Sequence, residues 1–332
     1  MALATVAIVQ AILYLLFVRA IDLYEREPLR YVISVFVWGF TVAAITALIF
    51  NSVLSATLAV VVQARLADLI TAVLGAPVIE ECAKGLALLV VFGIAYVTAH
   101  RRGVLEFSGV MDGIVYGSAV GFGFSLAEDL LYFAQYGSEV FLTRRIFGGF
   151  GHAAFASLTG IGIGLAPWVR SGLLKIALPV LGLLGAILLH ALFNLAAVLF
   201  GPLAYVLLFV VIVLYVILIA SWLAVERRTI RDELREEVDR GTISPDEYAI
   251  LPTYFRRTFY YLRLIFAGRL GLCGWTLKVH RAAVDLALTK RLAHSSWALP
   301  GETSVWTARY RITRLRASRE MHQIDRKVGG KS

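Results

Sequence analysis

The sequence is poor in charged residues and almost free of cysteine. Only 17% of its 332 residues are charged, whereas about a quarter are charged in a typical soluble domain. Its two cysteines, Cys82 and Cys273, provide neither a disulfide framework nor the paired spacing of a zinc finger. These shortages exclude an ordinary soluble domain, a disulfide-rich secreted protein and a zinc finger.

Long apolar runs take the place of the missing charges. Hydrophobic residues make up 59% of the chain, and the mean hydropathy is +0.77. A helix needs roughly 20 apolar residues to cross a bilayer. Seven runs approach or exceed that length, at 2–20, 31–62, 70–99, 107–136, 145–168, 173–200 and 203–225. The sequence therefore predicts an all-α, polytopic helical membrane protein with about seven transmembrane helices and a basic C-terminal tail.

The net charge of +9 belongs to the C-terminal third of the chain. Residues 1–225 contain 11 Lys and Arg and 11 Asp and Glu, whereas residues 226–332 contain 21 and 12. We predict a transmembrane domain over 1–225, a cytoplasmic helical extension over 226–300 and a disordered basic tail over 301–332. Lys and Arg concentrate in cytoplasmic loops. This bias predicts a multi-pass protein of the cell inner membrane with the N-terminus outside and the tail in the cytoplasm.

The predicted extension also mixes arginine with aromatic residues. Four arginines alternate with six aromatic residues: Arg256, Arg257, Arg263 and Arg269 with Tyr254, Phe255, Phe259, Tyr260, Tyr261 and Phe266. This composition predicts contact with the anionic inner leaflet, and the alternative is a solvated extension that only obeys the charge bias. Nucleic acid is the less favoured polyanion, because lipid lies nearer to a tail that is tethered to the membrane.

Polar and ionisable residues also occur inside the predicted spans, where each charge costs about 2.5–3.5 kcal/mol. These residues are Glu80, Glu81 and Lys84 in the third span, Glu128 in the fourth, His152 in the fifth, and His190 and Asn194 in the sixth. We include Phe124, which precedes Glu128 by one helical turn, in the same candidate site. Taken singly, such groups are typical of intramembrane ion pairs and of hydrogen bonds between helices. Because four consecutive spans each carry at least one, we expect them to share a hydrated pocket.

Such a pocket suits the hydrolysis of a buried peptide bond. The reaction needs a water, a base for its proton and donors for the oxyanion. The carboxylate pair supplies a base while Lys84 keeps one member ionised, and the histidines and the Asn194 amide hold the water or polarise the carbonyl. His152, His190 and Glu128 are also a donor set that zinc accepts, although no spacing in the sequence requires a metal.

Two other functions stay open on the residues alone. The same carboxylates and histidines can relay protons in a transporter or channel, and a catalytically silent membrane scaffold can carry them too. Signatures of other hydrolases are missing, since the sequence contains neither H-E-x-x-H nor G-x-S-x-G.

The motifs together resemble those of the PrsW-type intramembrane proteases, relatives of the CAAX prenyl proteases and of bacteriocin-processing membrane peptidases. Four of them follow in order on successive spans: Glu80-Glu81-x-x-Lys84 for E-E-x-x-K, Phe124-x-x-x-Glu128 for F-x-x-x-E, His152 for the third, and His190-x-x-x-Asn194 for the fourth. The resemblance covers roughly residues 10–200 and includes the acidic loop at 22–28. In that loop Arg26 departs from the family pattern by separating two glutamates.

The resemblance implies an endopeptidase that cuts a membrane-anchored protein, with the first cleavage of an anti-sigma factor as the example. It implies that Glu80 or Glu81 activates the water, that His152 and His190 assist, and that Asn194 stabilises the oxyanion. Members of the family are described both as glutamate peptidases and as metallopeptidases. The cofactor prediction therefore stays open between none and zinc.

Overall fold

The protein is built from helices. A computed structural model describes residues 2–24, 26–102, 107, 109–137, 141–293 and 301–329. No strand occurs in these ranges, and helices account for most of them. The prediction of an all-α fold is confirmed.

Thirteen α-helices follow one another with short connections in the described ranges. They are α1 (Ala2–Ile21), α2 (Leu29–Trp38), α3 (Ala44–Leu58), α4 (Ala64–Ile70), α5 (Ala76–Arg102), α6 (Val110–Tyr136), α7 (Phe141–Leu165), α8 (Gly172–Phe200), α9 (Ala204–Asp239), α10 (Pro245–Ile250), α11 (Tyr254–Phe266), α12 (Leu270–Ala293) and α13 (Gly301–Gly329). A π-helical turn, Gly39–Ala43, joins α2 to α3, and a second one, Thr71–Gly75, joins α4 to α5. Such turns insert an extra residue into a helix and are frequent at functional sites.

The apolar helices give the protein a polytopic membrane architecture, as predicted. Within the described residues, four stretches are long and apolar enough to cross a membrane: Leu29–Leu58, Val110–Gln135, Phe147–Trp168 and Gly172–Asp239. The last stretch contains both α8 and α9, which a short 3-10 turn at Gly201–Leu203 separates. A shorter apolar helix, Thr5–Ile21, lies near the N-terminus. The number of seven spans stays a prediction.

Glycines bring α6 and α7 into backbone contact. A Cβ atom added at Gly117 would lie 2.5 Å from the Ser157 Cα, and one added at Gly121 would lie 2.4 Å from the His152 carbonyl oxygen. No side chain fits at either position, so the small-residue spacing sets the close approach of the two helices. The contact holds His152 beside α6, and Glu128, two turns beyond Gly121, reaches its ring.

The chain divides into two compact units. The first comprises residues 1–22, 26–98 and 105–222, and the second comprises 23–25, 99–104 and 223–332. The second unit has an apolar core drawn from the C-terminal part of α9, from the residues that flank α10, and from α12 and α13. Its fully or almost fully buried members include Ile230, Leu234, Ile243, Leu251, Val279 and Ile312.

The structure differs from the predicted disorder of residues 301–332. Residues 301–329 form α13, in which Ile312 is completely buried. Arg309 pairs with the fully buried carboxylate of Glu237 at 2.7 Å. High arginine content alone predicts disorder, but an arginine that forms a charge-assisted pair with a buried acid orders its helix. Residues 330–332 lie outside the described residues.

Candidate active site

One turn near the N-terminal end of α5 carries the two glutamates and the lysine. Glu81 and Lys84 are fully buried, and Glu80 is 7% exposed. Lys84 Nζ donates to Glu81 Oε1 at 2.8 Å and lies 3.7 Å from Glu80 Oε2. The i,i+3 and i,i+4 spacings place all three side chains within reach of one another. One ammonium therefore contacts both carboxylates.

Two further groups surround the Lys84 ammonium. His152 Nδ1 lies 3.1 Å from Nζ, and the centroid of the Phe124 ring lies 3.9 Å from it. An aromatic face attracts a cation most strongly where water is excluded. The Phe124 ring therefore helps to replace the hydration that the Lys84 ammonium loses on burial, which gives the phenylalanine of the F-x-x-x-E motif a physical role.

Each of the two histidines is paired with a carboxylate. His152 Nε2 lies 2.8 Å from Glu128 Oε2, and His190 Nδ1 lies 2.9 Å from Glu81 Oε1. The imidazole N–H donates in both pairs, which leaves the other ring nitrogen with its lone pair. The two rings stand 5.2 Å apart between centroids, and Phe155 stacks on His190 at 5.1 Å. The carboxylates therefore fix both the tautomers and the orientations of the rings.

Glu80, His152 and His190 form a candidate metal centre. One ligand atom of each lies within 4.8 Å of the other two, whereas ligands of one tetrahedral zinc ion stand roughly 3.4 Å apart. Adjustments of about 1 Å in the side chains would close the set. Two histidines and a glutamate are the ligands of known catalytic zinc sites.

This set differs in one member from the sequence-based metal set, which contained Glu128 in place of Glu80. Which set binds a metal stays a prediction. The Glu128 carboxylate is hydrogen-bonded to His152. Glu80 Oε2, in contrast, is buried and has no hydrogen-bond partner. Helical spacing indicates which residues share a face, but it does not indicate which carboxylate oxygen is left without a partner.

A cavity of about 510 Å³ opens beside these side chains. Six of the eight predicted site residues line it, namely Glu80, Phe124, Glu128, His152, His190 and Asn194. The other two, Glu81 and Lys84, are fully buried and contact the lining residues. The volume lies within the roughly 300–1,000 Å³ of typical ligand sites. The structure thus brings all eight residues together around one space.

Asn194 holds the second π-helical turn. Its Nδ2 donates to the carbonyl oxygen of Ala72 at 2.8 Å. An amide has two N–H donors, and Ala72 takes one of them. Asn194 therefore fixes the backbone of this turn, which also forms part of the cavity wall through Thr71 and Ala72.

Sequence reasoning missed several polar residues of the cavity, among them Asn51 and Thr71. Asn51 Nδ2 lies 3.5 Å from Glu80 Oε1, and Asn51 Oδ1 and Thr71 Oγ1 are buried without hydrogen-bond partners. Asn51 could have been predicted, because it is an amide side chain in the middle of the apolar run 31–62. Thr71 gave no such signal, because a threonine can hydrogen-bond within its own helix.

Comparison with known proteins agrees with the motif-based resemblance. A family model described as "PrsW family intramembrane metalloprotease" matches residues 27–220, a range that contains all eight site residues. The chain is also similar to Protease PrsW of Geobacillus kaustophilus (strain HTA426), with 31% identity over 145 residues. That alignment covers 44% of this chain and 58% of the relative, which is less than two thirds of the relative's length. No solved structure matches the chain.

Proposed function

Because the chain belongs to the PrsW family of intramembrane metalloproteases, we propose that it is an endopeptidase that hydrolyses a peptide bond of a membrane-anchored protein. The observation that carries this proposal is that Glu80, Glu128, His152 and His190 line one and the same cavity. Hydrolysis within a membrane requires acids and bases that meet the peptide bond and a water away from lipid. On the family resemblance, our first candidate substrate is a membrane-bound anti-sigma factor.

We assign the family's metal to Glu80, His152 and His190, with zinc as the expected ion. Glu80 Oε2 supports this assignment, because it has no hydrogen bond and the Lys84 ammonium is 3.7 Å away, so that a metal ion would satisfy it more fully. Glu81 Oε2 also lacks a hydrogen bond, but Glu81 does not line the cavity. A zinc ion there would act as a Lewis acid on the peptide carbonyl and on a bound water. Since Lys84 Nζ lies 3.1 Å from His152 Nδ1, binding through that nitrogen requires the ammonium to turn toward Glu81.

The other residues position the groups that meet the substrate. Glu81 holds His190 through its Nδ1–H, and Glu128 holds His152 through its Nε2–H. Such hydrogen bonds orient metal-ligating imidazoles. Glu128 also faces the cavity, and its side chain is 22% exposed. We therefore assign to Glu128 the acceptance of the water's proton and its later donation to the leaving amine. The second N–H of Asn194 is the donor for the oxyanion.

Metal content and cleavage test the proposal together. We would express the full chain and its Glu80→Gln, His152→Ala and His190→Ala variants, and map new protein N-termini in the membrane fraction. We expect cut membrane proteins with the wild type alone. The purified wild type should carry about one zinc per chain, and the two histidine variants should carry much less.

Cys82→Ala is the matched control, because Cys82 follows Glu81 on the same helix but is exposed. This variant should keep both the metal and the activity. Cleavage that survives complete metal removal would refute the metal assignment and leave carboxylate chemistry. Proton-coupled uptake with no cleaved protein would refute the protease and favour the transporter.

We further propose that α11 contacts anionic lipid. Phe255, Phe259 and Phe266 are 73%, 71% and 85% exposed, and their spacing places them on one side of the helix. An exposed apolar stripe beside arginines is typical of helices that lie in the membrane interface. Of the predicted arginines, Arg257 does not belong to this surface, because it is buried and donates to the Leu23 carbonyl oxygen.

A fluorophore on the full chain tests the lipid contact. We would attach an environment-sensitive dye at Phe259→Cys in a protein whose two native cysteines are replaced by alanine, and reconstitute it in vesicles. A blue shift that needs anionic lipid and weakens with salt is expected. The control position is Arg314, which is exposed on α13. Equal spectra at the two positions would refute the contact.

The orientation is also a proposal: an inner-membrane protein with the N-terminus outside and the tail in the cytoplasm. Its support is the distribution of Lys and Arg described above. Reporter domains fused to each end would test it, because a cytoplasmic reporter should be active only at the C-terminus.

A further inference from the structure

The cavity wall contains buried polar atoms that have no hydrogen-bond partner among the described residues. Among the described residues, the buried oxygens without a hydrogen bond include Asn51 Oδ1, Thr71 Oγ1 and Glu80 Oε2, and all three residues line the cavity. Asn51 has one marginal contact, from Nδ2 to Glu80 Oε1 at 3.5 Å, which is long for a hydrogen bond. The metal assignment accounts for Glu80 and leaves Asn51 and Thr71 unexplained.

An unpartnered buried polar group lowers the stability of a free protein, whereas an apolar group of the same shape does not. Leucine is close in shape to asparagine, and valine to threonine, so an apolar wall was available at both positions. Other polar residues of the cavity show the contrast, since the Ser52 hydroxyl donates to the Leu48 carbonyl oxygen at 2.7 Å. Asn51 and Thr71 are therefore suited to a partner that arrives from the cavity.

The expected partner is the main chain of a peptide. A peptide bond can be attacked only where the substrate's own helix is opened, and this opening exposes its N–H and C=O groups. Within a membrane such groups must find partners in protein or in a water-filled cavity. Both oxygens have almost no accessible surface in the free protein, so the side chains must first rotate toward the cavity that they line. The Asn51 Oδ1 can then accept a substrate N–H, and the Thr71 hydroxyl can accept an N–H or donate to a C=O.

The two residues stand on separate elements beside the candidate reaction centre. Asn51 belongs to α3, and Thr71 begins the π-helical turn that Asn194 holds through Ala72. Through its contact with Glu80, Asn51 is adjacent to the metal set. We propose that Asn51 and Thr71 are substrate-binding residues that hydrogen-bond the unwound main chain next to the scissile bond. This inference rests on the proposed protease function.

The chain offers a matched control in Thr159. Its hydroxyl is also buried and has no hydrogen-bond partner, but Thr159 belongs to α7 away from the cavity lining. Asn51→Leu, Thr71→Val and Thr159→Val each remove an unpartnered polar atom. All three variants should therefore unfold at the wild-type Tm or above it, which separates their kinetic effects from misfolding.

The kinetic test uses a quenched fluorescent peptide of about 20 residues, the length of one span, centred on a cut site mapped in the membrane fraction. Asn51→Leu and Thr71→Val should each raise KM about three- to tenfold, the effect of one lost hydrogen bond, with kcat within about twofold. Thr159→Val should leave both constants unchanged.

Backbone esters then test the contact itself. Replacing single amides by esters at the positions flanking the cut removes one N–H at a time. One such ester should raise KM for the wild type, and the same ester should have no added effect on Asn51→Leu, because that variant has already lost the contact.

Three results would overturn the inference. They are wild-type KM values in both cavity variants, a fall in kcat alone, and an ester effect of equal size in the wild type and Asn51→Leu. The absence of any cut site would instead refute the proposed function, so the two failures are distinguishable.

Discussion

Replacing Lys84 by methionine should destabilise the first unit strongly. The ammonium is fully buried and lies 2.8 Å from Glu81 Oε1 and 3.7 Å from Glu80 Oε2. Methionine has a similar length, so the change removes the charge and leaves little empty space. Removing one partner of a buried ion pair costs about 3–5 kcal/mol, because the remaining charge stays buried without compensation.

Removing the opposite charge as well should restore much of the lost stability. In the double variant Lys84→Met/Glu81→Gln the pair has no charged member, and replacing both partners is far less costly than replacing one. We therefore expect the two substitutions to be strongly non-additive, as residues in direct contact are. Some loss should remain, because Glu80 Oε2 also loses the ammonium 3.7 Å away and because His190 Nδ1 donates to Glu81.

Thermal unfolding in detergent measures both effects. At roughly 2–4 °C per kcal/mol for a unit of about 200 residues, the single variant should lose about 6–20 °C in Tm, and the double variant should recover more than half of that. Arg65→Met is the control, since Arg65 is exposed, and its Tm should change by less than about 2 °C. A single variant as stable as this control, or a double variant with no recovery, would refute the reading of Lys84 as the counterion of the glutamates.

Three further predictions concern packing and the second unit. Gly121→Ala should lower the free energy of unfolding by about 1–3 kcal/mol and abolish cleavage, because its Cβ would lie 2.4 Å from a backbone carbonyl oxygen of α7. The control Gly93→Ala should be neutral or stabilising, because nothing lies within 4 Å of its added Cβ. Unfolding of both variants in denaturant measures the difference. Burial lowers the pKa of His280 from 6.5 to about 4. The unfolded chain therefore binds a proton at His280 before the folded protein does, and the free energy of unfolding falls by up to about 3 kcal/mol as the pH decreases from 6.5 to 4. In His280→Asn the stability of the second unit, measured by hydrogen exchange corrected for intrinsic rates, should depend less on pH. An unchanged pH dependence would refute this role of His280. Arg309→Met should increase exchange in α13 more than Arg314→Met, because Arg309 pairs with a buried carboxylate; equal exchange in the two variants would refute a role for that pair in ordering the helix.

The residues of the candidate site were predictable because charges are expensive in a membrane. Glu81, Lys84 and His190 stand out in runs that are otherwise apolar, and a chain carries such residues only where other groups compensate for them. The glycines of α6 also indicate a direction, since a small-residue ridge must face a neighbouring helix. Composition and spacing therefore indicate which residues meet.

Which atoms pair is a different question, and the sequence does not answer it. Glu80 and Glu81 are neighbours in the chain, yet Glu81 forms hydrogen bonds with a lysine and a histidine, whereas the same lysine is 3.7 Å from Glu80. This difference depends on helices α3, α7 and α8 around α5. The π-helical turn at Thr71–Gly75 is equally hidden, because one inserted residue hardly alters an apolar pattern that has few polar markers. The order of α13 depends on partners in other helices, such as Glu237 for Arg309.

The distribution of satisfied and unsatisfied groups gives the candidate site a direction. Behind the cavity wall, Lys84 provides a buried cation for Glu81, and Glu81 in turn fixes His190. Glu81 Oε2 also lacks a hydrogen bond, but the other oxygen of that carboxylate is held at 2.8 Å by Lys84 Nζ and at 2.9 Å by His190 Nδ1. On the cavity side, Asn51 Oδ1 and Thr71 Oγ1 have no hydrogen-bond partner, and Glu80 Oε2 has only the Lys84 ammonium 3.7 Å away. The carboxylate at the rear is thus anchored by a charged pair, whereas the Asn51 and Thr71 oxygens on the cavity side have no such anchor. This difference is expected if the rear of the site is fixed before a substrate arrives and the front is completed by the substrate and the metal.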